Sequence, residues 1–226
     1  MGKWIKNEFW NGYNWFERCF TLAMVLLQII FYCFVPDSLI GMICGIAGVI
    51  CVVLTAKGKI SSYIFNFIQM LTYMYICWNS KIYLEFGEQV FYFIVCIFGV
   101  FAWKKNIIKD DKGNEYVAAK KFKPWHWVAT VVITVISTLV FGCFGDNILG
   151  STLSYLDAFT ISLSVIAQLL MVWRYREQWA IWILIDGASL VMFILLGNWS
   201  MVAMYIAWTI NALYGWWNWT KLNKRA

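Results

Sequence analysis

Long apolar stretches separated by short polar gaps run along nearly the whole chain, without the two-residue alternation of half-buried β-strands. Eight stretches can be delimited: 18–35, 39–56, 60–79, 83–103, 127–145, 153–173, 178–197 and 201–219. Each is close to the roughly 20 helical residues that cross a hydrocarbon core of about 30 Å. A spanning segment must also satisfy its own backbone hydrogen bonds, as a helix does. The pattern therefore predicts an all-α polytopic membrane protein with eight transmembrane helices.

The basic residues fall almost entirely in every second gap. All but Lys81 of the 18 Lys and Arg residues lie before or at the start of the first stretch, in the second, fourth and sixth gaps, or after the last stretch. Positive charge in short loops marks the cytoplasmic side of a membrane. Both termini and the Lys-rich loop 104–123 are therefore predicted to be cytoplasmic.

Composition supports a membrane protein and argues against a soluble protein or a nucleic-acid-binding protein. The hydrophobic fraction is 62% and the charged fraction 13%, against roughly 45–50% and about 25% in soluble proteins. The net charge of +6 is explained by topology and by anionic inner-leaflet lipid rather than by nucleic acid. The cysteines are scattered inside the stretches without a Cys-x-x-Cys pair, so we expect buried thiols, no metal site and no cofactor.

An internal repeat divides the chain. Phe98-Gly99-x-x-x-Trp103 recurs 116 positions later as Tyr214-Gly215-x-x-x-Trp219, and the gaps around both copies coincide. Three stretches thus correspond to three others, with 127–145 between them and 18–35 outside. The two repeats then enter the membrane in the same direction, an arrangement known in transporters with the substrate near the midplane. The predicted divisions are an N-terminal segment 1–38, a first bundle 39–104, a connector with a linker helix 105–150, a second bundle 151–220 and a tail 221–226.

One acidic side chain lies near the middle of a predicted span. Asp186 is nearly midway through 178–197, and no Lys, Arg or His lies at comparable depth in another stretch. A charge at this depth is costly and usually faces a cavity. Trp182 precedes it by four residues on the same helical face. A carboxylate beside an indole suits a flat organic cation, through Coulomb and cation–π attraction.

Amides and phenols in other spans could complete such a site, because amides donate and accept hydrogen bonds as sugar hydroxyls require. The predicted substrate-binding residues are Asn66, Gln69, Tyr73, Gln168, Trp182, Asp186, Asn211 and Tyr214. The alternative is that each amide bonds only to a neighbouring helix and that Asp186 is a hydrogen-bonded structural acid.

Two other functional classes fit the sequence poorly. An intramembrane enzyme needs a nucleophile–base pair or metal ligands, but there is no His-Glu-x-x-His motif, and the single histidine, His126, lies at a span boundary. A retinal-type photoprotein needs a mid-span lysine, and none is present. We therefore predict no catalytic residues.

Four motifs together resemble those of the PnuC family of bacterial nicotinamide riboside transporters. They are Lys59-Ile60-Ser61-Ser62-Tyr63, Phe98-Gly99-x-x-x-Trp103, Tyr175-x-Glu177-x-Trp179-x-x-Trp182-x-x-x-Asp186 and Asn211-Ala212-Leu213-Tyr214-Gly215-Trp216. The resemblance implies a three-plus-one-plus-three fold like that of SWEET sugar transporters, with the stretch 18–35 as an extra N-terminal helix. It also implies homo-oligomers, as trimers, in the bacterial cytoplasmic membrane.

For function, the resemblance implies facilitated diffusion of nicotinamide riboside, followed by phosphorylation by a cytoplasmic kinase that traps the product. This substrate joins a cationic pyridinium ring to a ribose, which agrees with the acid, the indole and the amides. Related family branches carry thiamine or riboflavin. Thiamine, which is also a flat cation, is therefore the alternative substrate.

Overall fold

The computed structural model describes residues 13–34, 39–81, 83–109, 113–144, 154–195, 197 and 199–225. Within these ranges the chain forms eight α-helices and two short strands. In chain order they are α1 (Trp15–Phe34), α2 (Leu39–Ala56), α3 (Ser62–Asn79), α4 (Tyr83–Lys104), β1 (Ile107–Lys109), β2 (Glu115–Val117), α5 (Pro124–Phe144), α6 (Ser154–Val172), α7 (Gln178–Leu195) and α8 (Trp199–Arg225).

The helices agree with the apolar stretches to within three residues at each end, apart from the end of α8. Helix α5 begins at Pro124 rather than at 127, because proline at the first helical position has a suitable φ and lacks only an N–H that would be unbonded there. Helix α8 continues through the predicted tail to Arg225. The last turns of α8 are polar, and hydropathy alone therefore did not include them in the stretch 201–219.

Length and hydropathy single out four of the described helices as able to cross a bilayer. They are Leu39–Ala56, Glu85–Lys104, Pro124–Cys143 and Gln178–Leu195, with mean hydropathy from 1.7 to 2.6. The other helices carry more polar side chains, such as Glu17 and Arg18 in α1 and Asn66 and Gln69 in α3. That α1, α3, α6 and α8 also cross the membrane stays a prediction.

The chain divides into two compact units. The first comprises Met1–Ala118 with Lys224–Ala226, and the second comprises Ala119–Asn223. In the first unit α1 packs against α2, α2 against α3, and α3 against α4. In the second unit α5 packs against α6, and α6 against α7.

The Lys-rich connector contains a β-hairpin that the sequence pattern did not predict. Strands β1 and β2 pair antiparallel, with Ile108 opposite Tyr116. The Val117 N–H donates to the Gly58 carbonyl at 2.9 Å, and the Lys59 ammonium lies 5.1 Å from the Tyr116 ring centroid. The hairpin is therefore attached to the turn between α2 and α3.

The start of the second unit makes an equivalent attachment to the turn between α6 and α7. The Lys120 N–H donates to the Arg174 carbonyl at 2.7 Å, and the Lys120 carbonyl accepts from the Arg176 N–H at 3.0 Å. The Asn223 amide donates to the Ala119 carbonyl at 2.8 Å. Burial lowers the pKa of Lys120, and the nearby charge of Arg174 lowers it further.

The two turns each contain a left-handed residue, at positions 116 apart. Gly58 has φ +70° and Arg174 has φ +67°, and the carbonyl of each accepts a connector N–H. Glycine adopts this left-handed conformation freely, whereas a side chain there is strained. An edge-to-face aromatic pair follows each turn, with Tyr63 and Trp103 in one unit and Trp179 and Trp219 in the other. These local matches agree with the repeat predicted from the sequence.

A buried ion pair attaches α1 to the end of α2. Lys57 Nζ lies 2.7 Å from Glu17 Oε2, and the two side chains are 6% and 7% exposed. Burial lowers the pKa of Lys57, while its hydrogen bond to Glu17 raises it. Glu17 also closes a capping box, because the Asn14 N–H donates to its carboxylate at 2.7 Å and the Glu17 N–H donates to Asn14 Oδ1 at 2.9 Å.

Replacing Glu17→Gln should destabilise the first unit. Breaking a buried pair leaves an uncompensated charge and costs about 3–5 kcal/mol. The matched control is Glu115→Gln, which breaks the exposed pair between Lys109 and Glu115 and should cost about 0–1 kcal/mol. Thermal unfolding of the purified variants measures both. Similar shifts for the two variants would contradict this role for the Glu17–Lys57 pair.

A candidate binding site in the second unit

The turn between α6 and α7 sets the start of the helix that carries Asp186. The Arg174 N–H donates to the Met171 carbonyl at 3.0 Å, and the Tyr175 N–H donates to the Leu170 carbonyl at 2.8 Å. These bonds reverse the chain within five residues, so α7 returns antiparallel to α6. Burial lowers the pKa of Arg174 at the apex of this turn.

Arg176 links the beginning of α7 to α8. Its Nε donates to Glu177 Oε1 at 3.0 Å, and its Nη1 donates to Thr220 Oγ1 at 3.3 Å. Its guanidinium carbon also lies 5.2 Å from the Trp216 ring centroid. The sequence-based site did not include Arg176 or Glu177, although Glu177 stands in the motif that ends at Asp186.

Helices α7 and α8 approach closely at Gly215. A Cβ at this position would lie 2.5 Å from the Trp179 ring, which explains the glycine of the Tyr-Gly-x-x-x-Trp motif. The rings of Trp179 and Trp219 meet edge to face at 6.2 Å. At the other end, Phe193 and Tyr205 stack at 5.4 Å. The two helices therefore run antiparallel, with Trp179 and Trp219 at a common level.

This common level places Asp186 and Asn211 at similar depth. At a rise of about 1.5 Å per residue, Asp186 lies about 10 Å beyond Trp179, and Asn211 lies about 12 Å before Trp219. Both side chains are buried, with 5% and 3% exposure. The carboxylate and the amide therefore lie at nearly the same depth on neighbouring antiparallel helices.

Gln168 and Trp182 share a second level, nearer the turn. Gln168 lies about 6 Å before the end of α6, and Trp182 lies about 6 Å after the start of α7. Gln168 is buried. Trp182 is half-buried and packs against an apolar cluster that includes Ala167, Ile181 and Ile185. One side of the indole is thus fixed by packing.

Within the described residues, no hydrogen bond or ion pair reaches the Asp186 carboxylate. Burying a carboxyl group without such contacts costs free energy, whether the group is charged or protonated. Arg174 and Arg176, the basic residues of the neighbouring turn, precede the start of α7 at Gln178, which is itself about 12 Å from Asp186 along the helix. A binding role for Asp186, Trp182, Gln168 and Asn211 stays a prediction.

Tyr214, the remaining predicted residue of this unit, is half-buried on α8. Its ring lies 5.9 Å from that of Trp217 in a tilted contact. It lies one helical turn from Asn211, on the same side of α8.

The predicted residues of the first unit take part in contacts between helices. Asn66 Nδ2 donates to Cys96 Sγ at 3.4 Å, and the Tyr73 hydroxyl donates to the Glu85 carboxylate. Both contacts join α3 to α4. Gln69 is half-buried, and its Cγ lies 3.5 Å from the point where a Cβ on Gly48 would lie. A binding role for these three residues stays a prediction.

The polar set of the second unit has apolar counterparts in the first. The residues 116 positions before Gln168, Asp186 and Asn211 are Val52, Met70 and Val95. Met70 is 1% exposed, so this position is a packing position in the first unit. At these three positions the polar residues are therefore specific to the second unit.

The chain is similar throughout its length to known transporters. Residues 38–221 match the family model described as Nicotinamide mononucleotide transporter. The chain is 39% identical over 222 residues to the Nicotinamide riboside transporter PnuC of Haemophilus influenzae, covering 98% of this chain and 96% of that protein. It is 34% identical over 230 residues to the protein of the same name from Neisseria mucosa, covering 98% and 87%.

A solved structure has the same fold. The chain superposes on the crystal structure of the Vitamin B3 transporter PnuC with a TM-score of 0.84 and 33% sequence identity, covering 99% of this chain and 98% of that one.

Gly215→Ala should destabilise the second unit, because the new methyl group overlaps the Trp179 ring and overpacking costs about 1–3 kcal/mol. Gly187→Ala is the matched control, since a Cβ at Gly187 meets no atom within 4 Å. That control should be neutral or slightly stabilising, because alanine favours helices. Thermal unfolding midpoints compare the two. An undisturbed Gly215→Ala protein would show that the approach of α8 to Trp179 is not tight.

Proposed function

We propose that this chain, which belongs to the nicotinamide mononucleotide transporter family, takes up nicotinamide riboside across the bacterial inner membrane by facilitated diffusion. Family membership confirms the prediction of a transporter rather than an enzyme. The relatives from Haemophilus influenzae and Neisseria mucosa are nicotinamide riboside transporters, which supports this substrate. Phosphorylation by a cytoplasmic kinase would then trap the product and keep the inward gradient.

The observation that supports this substrate best is the buried Asp186 on the same helical face as Trp182. Nicotinamide riboside carries a positive pyridinium ring, which a carboxylate attracts and an indole face stacks against. Gln168 and Asn211 offer donors and acceptors to the ribose hydroxyls and the carboxamide. Tyr214 supplies a further hydroxyl one turn from Asn211.

The proposed architecture is three plus one plus three helices in parallel repeats, with α1 as the extra helix and α5 as the linker, as in SWEET transporters. Its support is the equal geometry of the turns at Gly58 and Arg174 and of the aromatic pairs that follow them. The basic loops support cytoplasmic termini. A trimeric assembly is part of the same proposal.

Thiamine is the second candidate, because a carboxylate beside an indole attracts any flat cation. The two candidates differ in the groups that accompany the ring. The ribose has several hydroxyls for Gln168 and Asn211, whereas thiamine has an aminopyrimidine and one hydroxyethyl group. Equilibrium titration of both compounds against the purified protein decides between them.

Transport should dissipate a substrate gradient without building one. No Lys, Arg or His lies mid-span with Asp186 to form a charge relay, so we expect no coupling to protons. Proteoliposomes with equal nicotinamide riboside on both sides should exchange labelled substrate but show no net accumulation when a proton or sodium gradient is imposed. Sustained uphill uptake in the absence of a kinase would overturn facilitated diffusion.

Asp186→Asn should weaken a cationic ligand selectively. The variant keeps size and hydrogen bonding but removes the charge, and a charge-assisted contact is worth roughly 1.5–3 kcal/mol. That corresponds to about tenfold to over a hundredfold in affinity. An uncharged nucleoside analogue of the same shape should lose little, whereas Trp182→Ala should weaken both ligands by removing stacking area.

The titrations use folded protein, with Glu115→Gln as the control that replaces an exposed carboxylate by an amide. Equal losses for both ligands in Asp186→Asn, or no loss for either, would remove Asp186 as the residue that recognises the cation. Lower thermal stability with unchanged affinity would identify it as a structural acid.

A further inference from the structure

A groove of about 310 Å³ lies between α1 and α2 in the first unit. It shares no residue with the site in the second unit. Its lining includes Arg18, Leu22, Val25, Ile50, Val53 and Leu54. This volume falls at the lower end of the range of small-molecule sites, which is about 300–1,000 Å³.

The groove has one polar end and one apolar end. Tyr13 and Arg18 lie at the beginning of α1, while Leu22 and Val25 follow one and two turns further along. Helix α2 runs antiparallel to α1, because Lys57 just after its end pairs with Glu17 near the start of α1. Polarity therefore falls from the helix ends towards the bilayer interior, as it does along a phospholipid from headgroup to acyl chain.

The polar groups around the groove are arranged for an anion. The Thr21 hydroxyl donates its proton to the Glu17 carbonyl at 2.7 Å. It therefore has no second proton to donate to a ligand. Lys57 and Glu17 balance each other's charge at 2.7 Å. The guanidinium of Arg18 lines the same end of the groove. A guanidinium presents a planar fork of donors that matches phosphate oxygens.

Topology gives the same end of the groove an anionic environment. The start of α1 and the turn after α2 belong to the basic gaps, which the positive-inside rule places at the cytoplasm. The cytoplasmic leaflet carries anionic lipids and attracts basic groups near the surface. A neutral or cationic ligand would gain nothing from Arg18 at this position.

We propose that this groove binds an anionic phospholipid of the inner leaflet, with its phosphate on Arg18 and an acyl chain along Leu22, Val25, Ile50 and Val53. The lipid would fill the space between α1 and α2 and add to the buried ion pair that joins them. The site is independent of the nature of the transported substrate.

Native mass spectrometry of the purified full-length protein tests the proposal. Phosphatidylglycerol and phosphatidylcholine with identical acyl chains are added separately, and the bound fraction of each is measured. Wild type should retain several-fold more phosphatidylglycerol. Arg18→Gln should lose this preference, whereas Lys105→Gln should keep it, because Lys105 is an exposed lysine outside the lining.

Val25→Trp supplies a second, uncharged variant, since its larger side chain fills the apolar part of the groove. It should reduce the retention of both lipids while leaving Arg18 in place. Phosphatidylglycerol should also raise the unfolding midpoint of wild type more than that of either groove variant. Each variant's midpoint without lipid reports whether it is folded.

Each of the following results would overturn the proposal. One is equal retention of the two lipids by wild type, or the same preference in Arg18→Gln as in Lys105→Gln. Another is competition by sn-glycerol 3-phosphate at concentrations like those of the lipid, which would indicate a site for a free phosphate. The third is loss of oligomers in Val25→Trp with unchanged lipid retention, which would identify a second copy of the chain as the occupant.

Discussion

The hydrocarbon core of a bilayer allows almost no unbonded backbone polar group, and the rest of this structure depends on that constraint. A helix satisfies each N–H and C=O within itself, so variation in backbone geometry is confined to the turns. Here the turns after α2 and α6 each carry a left-handed residue, Gly58 and Arg174, and each of these presents its carbonyl to the connector. The connector is therefore held by main-chain hydrogen bonds that do not depend on its lysine side chains.

Because a helix leaves its backbone little freedom, the two units can differ in chemistry chiefly through their side chains. The turns at Gly58 and Arg174 and the aromatic pairs that follow them match locally. The side chains at the matching positions nevertheless diverge, with Met70 in one unit and Asp186 in the other. A buried apolar position in the first unit thus corresponds to a buried acidic position in the second.

The same constraint explains how α1 is held. A helix outside the repeat has no equivalent partner to pack against, and hydrophobic burial gives little preference for protein over lipid within a membrane. The Glu17–Lys57 pair and the capping box at Asn14 supply specific contacts at the end of the helix. The groove beside them shows that packing between α1 and α2 is incomplete, which leaves room for a lipid.

The sequence by itself determined the helical segments, their charge asymmetry and the unusual chemistry of Asp186, because hydropathy and charge are properties of the local residues. It did not indicate the β1–β2 hairpin, since three-residue strands are too short for a periodic signal. Only the tertiary structure decided that Asn66 and Tyr73 contact Cys96 and Glu85, while Asp186 has no such contact among the described residues. Hydrogen bonds between side chains depend on which helices are neighbours and at what level they face each other, and the pattern along one chain does not contain that information.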